Sequence, residues 1–365
     1  MDVVIVGAGV IGLAVAEAMT GRGAEVTVLE AADRIGTGVS SRNSEVVHAG
    51  LYYPTGSLKA TLCVEGRERL AAFCEQHGVD HRWTGKVLVA TAADEVPALE
   101  RIGAQAEANG ARPLVSMSRH DLLQRCPTVR AVAALWSTGT GIVDSHGLMT
   151  RLRLLTERRG GVVLCRHGLV GATLRTNGWR LEIRQPDGSL AALDADIVVN
   201  AAGLQADEVA RLVCQDADLP RHIAVKGSYF DVVGPPPADT LVYPVPSPTL
   251  TGLGTHLTID LAGRARLGPD VQMGRASDDF AVDGSRAALF HQAASRFLPE
   301  LRLDQLQPAY AGIRPKLATD RVADFYVRHE VDRGLPGWVN LLGIESPGLT
   351  ASLALAQRVA TLAGG

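Results

Sequence analysis

The first thirty residues, MDVVIVGAGVIGLAVAEAMTGRGAEVTVLE (1–30), decide the fold of this chain. Residues 3–6 form an apolar, β-branched run of the kind that makes buried parallel strands. An apolar stretch at helical spacing follows it, and a second apolar run ends at Glu30. The segment therefore predicts a strand–helix–strand unit that opens an α/β, Rossmann-like domain.

Gly7, Gly9 and Gly12 place G-x-G-x-x-G at the turn between the first strand and the helix. In this motif the first glycine permits a tight turn, the second lets backbone approach a pyrophosphate, and the third lets helix pack on strand. The helix N-terminus offers free N–H groups to phosphates. Glu30 follows 18 residues after Gly12, where a carboxylate can accept hydrogen bonds from a ribose diol. We therefore predict dinucleotide binding; the alternative is a glycine-rich turn in an unrelated α/β domain.

Composition narrows the class of protein. The 365 residues are 46% hydrophobic and 21% charged, which fits a globular protein with a sizeable core. A net charge of −3 without basic blocks gives no reason to expect nucleic acid. The five scattered cysteines contain no C-x-x-C, so we expect no metal site and reduced thiols in the cytoplasm. We expect no signal peptide and no membrane span, because the first strand begins at Val3 and no apolar run approaches 18 residues.

A polar cluster follows the second strand at Ser40, Ser41, Arg42 and Asn43. A nicotinamide-dependent dehydrogenase usually continues directly to its third strand. A long polar crossover instead suits a cofactor that lies extended beneath a second loop. We therefore expect FAD, with these four residues among its contacts.

Later segments predict a divided chain. Strand-rich, proline-rich sequence between residues 223 and 268 indicates an antiparallel sheet, including a strand at Gly252–Leu257. We predict an FAD-binding domain from residues 1–80, 140–220 and 315–365, and a substrate-binding domain from 81–139 and 221–314. The fold class is thus α/β, or α+β overall. Helices are predicted at Ser145–Arg158, at Asp278–Phe297 and at the C-terminus from Leu349 to Leu362.

Several segments carry a family resemblance. G-A-G-V-I-G-L-A with Glu30, and the later N-A-A-G at 200–203, resemble the FAD-dependent D-amino-acid oxidase and glycine oxidase superfamily. Residues 40–66, SSRNSEVVHAGLYYPTGSLKATLCVEG, closely resemble the L-2-hydroxyglutarate dehydrogenase/oxidase family. The segments Y-P-V-P (243–246), G-T-H-L-T (254–258), L-G-P-D (267–270) and A-G-I-R-P-K (311–316) agree in the family's order.

The resemblance implies an FAD enzyme that oxidises L-2-hydroxyglutarate to 2-oxoglutarate and passes electrons to a quinone or oxygen. We expect a cytoplasmic enzyme, with peripheral contact at the inner face of the cell membrane as a further expectation. One departure concerns the substrate: many members have Arg-Gly-Asp/Glu-Tyr where this chain has Lys226-Gly227-Ser228-Tyr229. Lysine keeps the charge of arginine but loses its bidentate geometry.

Oxidising a 2-hydroxy acid requires a cation for the carboxylate and a base for the hydroxyl proton. Arg314, which the family places beside the flavin, is our candidate anchor, because a guanidinium holds a carboxylate through two parallel hydrogen bonds. His256 is our candidate base, since an unperturbed histidine titrates at about 6.5. His48, in V-V-H-A-G, is the alternative base. Some members of the superfamily attach flavin through a histidine, although a hydrogen-bonding role is our expectation for His48.

Two further sets complete the predicted site. Polar and cationic residues that could hold the distal carboxylate of a dicarboxylate substrate are Tyr52, Tyr53, Lys59, Lys226, Tyr229 and Lys316. Further predicted cofactor contacts, at strand ends and at the N-terminus of the last helix, are Leu169, Ala202, Gly203, Gly343, Ser346, Gly348, Leu349 and Thr350. The helix N-terminus would stabilise negative charge on the flavin pyrimidine.

Two other functions remain open from sequence. One is an amine or amino-acid oxidase of the same fold, because imine formation starts from a neutral amine and often needs no histidine base. The other is a flavin-binding redox protein or scaffold without turnover of its own.

Overall fold

The computed structural model describes residues 1–246, 254–274, 278–319 and 323–364. Its helices are α1 (Val10–Thr20), α2 (Leu58–His77), α3 (Val96–Ala108), α4 (Arg119–Arg125), α5 (Ser145–Arg158), α6 (Ala206–Ala210), α7 (Ala287–Ala294) and α8 (Gly348–Gly364). Its strands up to residue 200 are β1 (Asp2–Val6), β2 (Glu25–Glu30), β3 (Val46–Val47), β4 (His81–Arg82), β5 (Lys86–Ala90), β6 (Leu114–Met117), β7 (Ala133–Ser137), β8 (Gly141–Val143), β9 (Val162–Cys165), β10 (Gly168–Arg175), β11 (Gly178–Arg184), β12 (Leu190–Ala195) and β13 (Ile197–Asn200). The later strands are β14 (His222–Val232), β15 (Leu241–Pro244), β16 (His256–Ile259), β17 (Ala265–Gly268), β18 (Gln272–Met273), β19 (Leu306–Leu317), β20 (Tyr326–His329) and β21 (Trp338–Leu342).

The predicted strand–helix–strand unit forms the centre of a six-stranded sheet, in the order β20-β21-β13-β1-β2-β9. Pairing is parallel from β21 to β9, and β20 joins antiparallel. Alternate residues of β1 point to opposite faces. Val3 and Ile5 pack against α1 and α8, whereas Val4 and Val6 pack against the three-stranded sheet β10-β11-β12. Both faces of β1 are therefore covered, which explains its continuous apolar run.

A larger, mostly antiparallel sheet runs in the order β18-β14-β17-β16-β15-β5-β7-β6, with β19 paired to β14. One of its faces carries Val87, Val242 and Leu257 into a core with α4 and α7. By strand alternation, the opposite face carries Lys86 from β5, Tyr243 from β15 and His256 from β16. The short strands β3, β8 and β4 form a separate small sheet.

The two sheets follow the predicted composition shift along the chain, and the division into domains stays a proposal. β19 continues to Leu317, so the proposed boundary at residue 314 would cut this strand. The predicted strand Gly252–Leu257 begins in residues 247–253, which lie outside the described residues, and its described part belongs to β16. No helix within the described ranges is both long and apolar enough to cross a membrane.

The predicted helix Asp278–Phe297 is wrong over most of its length. Only Ala287–Ala294 is α-helical, preceded by a 3-10 turn at Gly284–Arg286. The Asp283 carboxylate accepts from the N–H of Ser285 at 2.9 Å and caps this turn. An aspartate followed by glycine favours such a turn over helix propagation, which limits the helix to its C-terminal part.

Candidate active site

The glycine turn has the geometry that its sequence predicts. Gly7 has φ +102°, and a Cβ there would lie 2.5 Å from the carbonyl oxygen of Ala201. A Cβ on Gly12 would overlap the carbonyl oxygen of Gly7. A Cβ on Gly9 would meet only the Ser40 hydroxyl, at 3.0 Å. Gly7 and Gly12 are thus fixed by backbone packing, whereas Gly9 faces space that a ligand can enter.

Glu30 lies beside this turn at the carboxyl end of β2. Its carboxylate accepts from the backbone N–H groups of Ala8 and Ala32, both at 2.8 Å. A carboxylate offers about four acceptor positions, so about two remain for the hydroxyls of a ribose. The position fits the predicted role in cofactor binding.

The polar cluster at 40–43 folds over the N-terminus of α1. Ser40 Oγ accepts from the N–H of Val10 at 3.0 Å, and Asn43 Nδ2 donates to the Ser40 carbonyl at 2.7 Å. Ser41 Oγ donates to the Gly38 carbonyl at 3.3 Å. The Arg42 guanidinium lies 4.0 Å from the centre of the Phe280 ring, and its Nε is buried without a hydrogen-bond partner among the described residues. A buried, unpaired guanidinium donor of this kind fits an anionic group of a ligand.

The other predicted cofactor contacts lie near strand ends, three of them at the six-stranded sheet and Leu169 on the three-stranded sheet. Leu169 is on β10, and the preceding His167 donates its N–H to the Glu30 carbonyl at 2.8 Å. Ala202 and Gly203 follow β13, and Gly203 has φ +58°. Gly343 follows β21, has φ +68°, and donates its N–H to His222 Nε2 at 2.9 Å.

The start of α8 holds the segment that contains His48. The N–H of His48 donates to Thr350 Oγ1 at 2.9 Å, and its Nε2 lies 3.4 Å from Ser346 Oγ. Ser346 Oγ is also 3.3 Å from the Tyr53 hydroxyl. Gly348 donates its N–H to the Glu345 carbonyl at 2.6 Å, and Leu349 packs against the main core. Four residues predicted separately as site residues are therefore linked by contacts: His48, Tyr53, Ser346 and Thr350.

His256 is held in one orientation on the inner face of the large sheet. Its ring stacks on Tyr243 with centres 3.8 Å apart, and Nδ1 lies 3.0 Å from the Gly254 carbonyl. Because a carbonyl oxygen only accepts, Nδ1 carries the hydrogen and Nε2 keeps a free lone pair. Burial, followed by the charge of Lys86, lowers the pKa of His256 well below 6.5. The ordinary value of about 6.5 used in the sequence argument therefore does not apply, and His256 is neutral at neutral pH.

His48 is also held neutral. Burial, with a smaller contribution from Lys86, lowers its pKa to about 3. Both candidate bases are therefore unprotonated at neutral pH, and they differ in the partner of Nε2.

The three predicted substrate lysines already have carboxylate partners. Lys59 and Lys316 both reach Glu345 at 2.9 Å, and Lys226 reaches Asp279 at 2.9 Å. Burial alone would raise the pKa of Glu345, but the two lysines together lower it below its ordinary value. Sequence reasoning grouped these cations by type and could not show which acids neutralise them.

Arg314 has a different environment. Its guanidinium lies over Gly227, where a Cβ would overlap it, and Nη2 donates to the Asp270 carbonyl at 3.5 Å. Arg314 forms no ion pair with a carboxylate within the described ranges. On the adjacent strand, Tyr229 stacks on Tyr310 at 4.6 Å, and the Tyr310 hydroxyl donates to the Asn43 carbonyl at 2.7 Å. This chain of contacts ties the surroundings of Arg314 to the polar cluster over α1.

Sequence reasoning missed Lys86. Its side chain is fully buried, and Nζ has no hydrogen-bond partner among the described residues. Nζ lies 4.4 Å from the centre of the Tyr243 ring and 4.9 Å from that of Tyr52. The signal was present in G-K-V-L-V-A (85–90), where a lysine opens an otherwise apolar strand.

One group of potential metal ligands lies in the described part of the chain. Glu45, Asp144 and His146 bring three ligand atoms within 4.8 Å of one another. Asp144 caps α5 by accepting from the N–H groups of His146 and Gly147, and Glu45 accepts from the Ser145 hydroxyl at 2.6 Å. These bonds give both carboxylates a structural role.

Comparison with known proteins identifies the class. The family model "FAD dependent oxidoreductase" of D-amino-acid oxidase type matches residues 2–362. The fold is similar to that of L-α-glycerophosphate oxidase from Mycoplasma pneumoniae, with a TM-score of 0.89 and 24% identity over 100% of this chain and 94% of that chain. It is also similar to that of glycine oxidase from Geobacillus kaustophilus, with a TM-score of 0.82 and 21% identity over 100% of this chain and 94% of that one. The protein is an FAD-dependent oxidoreductase of this family.

Sequence relatives identify a narrower family within this class. Mitochondrial L-2-hydroxyglutarate dehydrogenase of Arabidopsis thaliana is 37% identical over 99% of this chain and 83% of its own length. L-2-hydroxyglutarate dehydrogenase of Indibacter alkaliphilus is 27% identical over 98% of this chain and 97% of its own length. The chain belongs to the L-2-hydroxyglutarate dehydrogenase family, which confirms the resemblance found in residues 40–66.

The glycine turn gives a first test of the cofactor site. We expect Gly12→Ala to lose bound FAD and to be destabilised, because its Cβ would overlap backbone that cannot move aside. Overpacking of this kind costs about 1–3 kcal/mol. Gly103→Ala in α3 is the control, since a Cβ there would meet only Leu135 Cδ1 at 3.7 Å. The ratio of flavin to protein absorbance measures the loss, and equal FAD content in the two variants would contradict the assignment.

Proposed function

We propose that this protein oxidises a 2-hydroxy acid, most specifically L-2-hydroxyglutarate to 2-oxoglutarate. The observation that carries the proposal is the environment of His256. A neutral imidazole with a free Nε2 lies within electrostatic reach of Arg314 and Lys86. The substrate carries a hydroxyl that must lose its proton and two carboxylates that need cations. A neutral histidine with cations nearby provides both kinds of group. The names of the full-length relatives support the same substrate.

The roles of the residues follow from their geometry. Arg314, free of carboxylate partners in the described chain, binds the carboxylate next to the hydroxyl-bearing carbon. Nε2 of His256 takes the hydroxyl proton. When bound, FAD supplies the hydride acceptor for the oxidation. The nearby charges of Lys86 and Arg314 would then favour release of the proton from His256 after the reaction.

The cofactor contacts proposed for this chain are those of the glycine turn, Glu30, the 40–43 cluster and the start of α8. We propose that FAD is bound non-covalently, because His48 Nε2 faces Ser346. Denaturation should therefore release FAD into the supernatant. For the electron acceptor we retain two alternatives, a quinone and oxygen. A cytoplasmic location is proposed from the five free cysteines, and contact with the inner face of the cell membrane remains a further proposal.

The experiment is anaerobic mixing of holoenzyme with a panel of hydroxy and amino acids. We expect L-2-hydroxyglutarate to bleach the flavin absorbance, and its D-enantiomer and L-glutamate to bleach it at least about 10-fold more slowly, since a misplaced C2–H loses its orientation. Faster bleaching by an amine or amino acid would favour the alternative activity, an amine oxidase of the same fold. Bleaching by no member of the panel would contradict the proposed substrate class.

A further inference from the structure

Lys86 occupies a position that is costly without an anionic partner. A buried ammonium group without hydrogen bonds is strongly unfavourable. The faces of Tyr52 and Tyr243 compensate in part through cation–π contacts at 4.9 and 4.4 Å. Neither ring accepts the three N–H hydrogen bonds that an ammonium group offers. The chain therefore holds a cation whose hydrogen-bonding capacity is unused.

The groups that face Lys86 leave its charge unbalanced. They are His48, Tyr52, Cys63, Tyr243 and His256. Burial lowers the pKa of both histidines and raises that of Cys63 to about 12 and that of both tyrosines, so all five are neutral at neutral pH. No carboxylate of the described residues lies within ion-pair distance of Lys86 Nζ. A negative charge that would hold Lys86 in its ammonium form must therefore come from outside this cluster.

The lack of an acidic partner among the described residues sets Lys86 apart from the other lysines. Only four of the 36 cationic residues are lysine: Lys59, Lys86, Lys226 and Lys316. Three of these lysines pair with Glu345 or Asp279. Lys86 is the remaining one, and it lies on the same sheet face as His256.

We propose that Lys86 binds the second carboxylate of the dicarboxylate substrate and so gives this enzyme its preference for dicarboxylic over monocarboxylic hydroxy acids. The inference rests on the proposed function. It places the substrate with one carboxylate at Arg314, the hydroxyl at His256 and the other carboxylate at Lys86. His256 lies within electrostatic reach of both cations, as this placement requires.

This placement predicts how the affinity for a dicarboxylate changes with pH. Burial lowers the pKa of Lys86 to about 7, so the free protein loses this charge as the pH rises through that value. A bound carboxylate stabilises the ammonium form and raises its pKa. Dicarboxylate binding should therefore weaken above about pH 7, and binding at pH 8 should take up protons from the buffer.

The probe is glutarate, a dicarboxylate without the hydroxyl that is oxidised, and butyrate is the monocarboxylate control. We expect Lys86→Met holoenzyme to bind glutarate about 10- to 100-fold more weakly than wild type, as for loss of a charged hydrogen bond. The affinity of Lys86→Met for butyrate should equal that of the wild type. Its proton uptake on binding glutarate at pH 8 should disappear. Leu88→Met, two residues along the same buried face of β5, controls for packing and should bind both acids like wild type.

A second measurement does not depend on the variant folding. Holoenzyme labelled with 13C at lysine Cε should give four signals, of which one titrates near pH 7 and shifts to higher pH with glutarate but not with butyrate. Lys86→Met should remove that signal. Unchanged glutarate affinity in Lys86→Met, or a signal that ignores glutarate, would overturn the inference. If Lys86→Met keeps its affinity for glutarate but its rate of flavin bleaching lacks a rise through about pH 7 that the wild type shows, Lys86 is a base, and the inference also fails.

The outcomes separate this inference from the proposed function. If L-2-hydroxyglutarate bleaches the flavin while Lys86→Met binds glutarate normally, the function stands and the role of Lys86 is wrong. If glutarate binding depends on Lys86 but L-2-hydroxyglutarate does not bleach the flavin, the dicarboxylate site stands and the proposed reaction is wrong.

Discussion

Holoenzyme carrying His256→Asn should bleach its flavin with L-2-hydroxyglutarate about 10²–10⁴-fold more slowly than wild type, the usual contribution of a positioned base. Asparagine retains a donor near the position of Nδ1, which bonds the Gly254 carbonyl at 3.0 Å, and removes Nε2. The orientation of residue 256 is thus preserved while the proton acceptor is lost. Anaerobic stopped-flow absorbance measures the rate, and glutarate affinity should change much less than that rate.

The pH profile gives this prediction a second readout. A base works in its unprotonated form, so the rate rises with pH through the pKa of that base. Burial and the charge of Lys86 place the pKa of His256 well below 6.5. The rise in rate that reports deprotonation of His256 therefore lies at acid pH, and this ionisation does not change the rate near neutral pH. His256→Asn should lose that acid limb.

His48→Asn is the matched comparison for His256→Asn. We expect it to slow bleaching less, because His48 Nε2 already faces the Ser346 hydroxyl at 3.4 Å. A wild-type rate in His256→Asn together with a slow rate in His48→Asn would make His48 the base. Wild-type rates in both variants would mean that the proton leaves by another route, such as water or a lysine of the site.

The local parts of the fold could be predicted from sequence because their signals are local. The glycine turn, Glu30 and the helix Ser145–Arg158 appear where the pattern indicates them. The predicted helix from Asp278 failed because the turn at Asp283 and Gly284 outweighed apolar periodicity. Local propensity is a weak guide where turn-forming residues interrupt a helical pattern.

The charge balance of the site could not be predicted, since it depends on contacts between distant segments. Lys59 and Glu345 are separated by 286 residues, yet their side chains meet at 2.9 Å. The sequence contains four lysines and 39 acidic residues, and it does not show which lysine lacks an acidic partner. Strand alternation does place Lys86 and His256 on one sheet face, but only the pairing of β5 with β15 and of β15 with β16 brings them together.

Arg314→Lys should lower kcat/KM about 10- to 100-fold for every 2-hydroxy acid tested. The change keeps the positive charge but loses the two-pronged geometry, and a charged hydrogen bond contributes about 1.5–3 kcal/mol. Arg286→Lys is the control. The Arg286 guanidinium lies 2.7 Å from the carboxylate of Asp270, the residue whose backbone carbonyl Arg314 contacts. Steady-state kinetics on a monocarboxylic and a dicarboxylic hydroxy acid measure the effect, and the control should change both much less.

The pattern across substrates decides what Arg314 binds. If it holds the carboxylate beside the reacting carbon, monocarboxylic and dicarboxylic substrates share that group and lose the same factor. If it held the distal carboxylate instead, only dicarboxylic substrates would suffer, which is the pattern expected of Lys86→Met. Gly227→Ala offers an independent check, because its Cβ would overlap the Arg314 guanidinium and displace it without removing its charge. A loss in Gly227→Ala that matches Arg314→Lys for both substrates would show that the position of this guanidinium, rather than its charge alone, binds the common carboxylate.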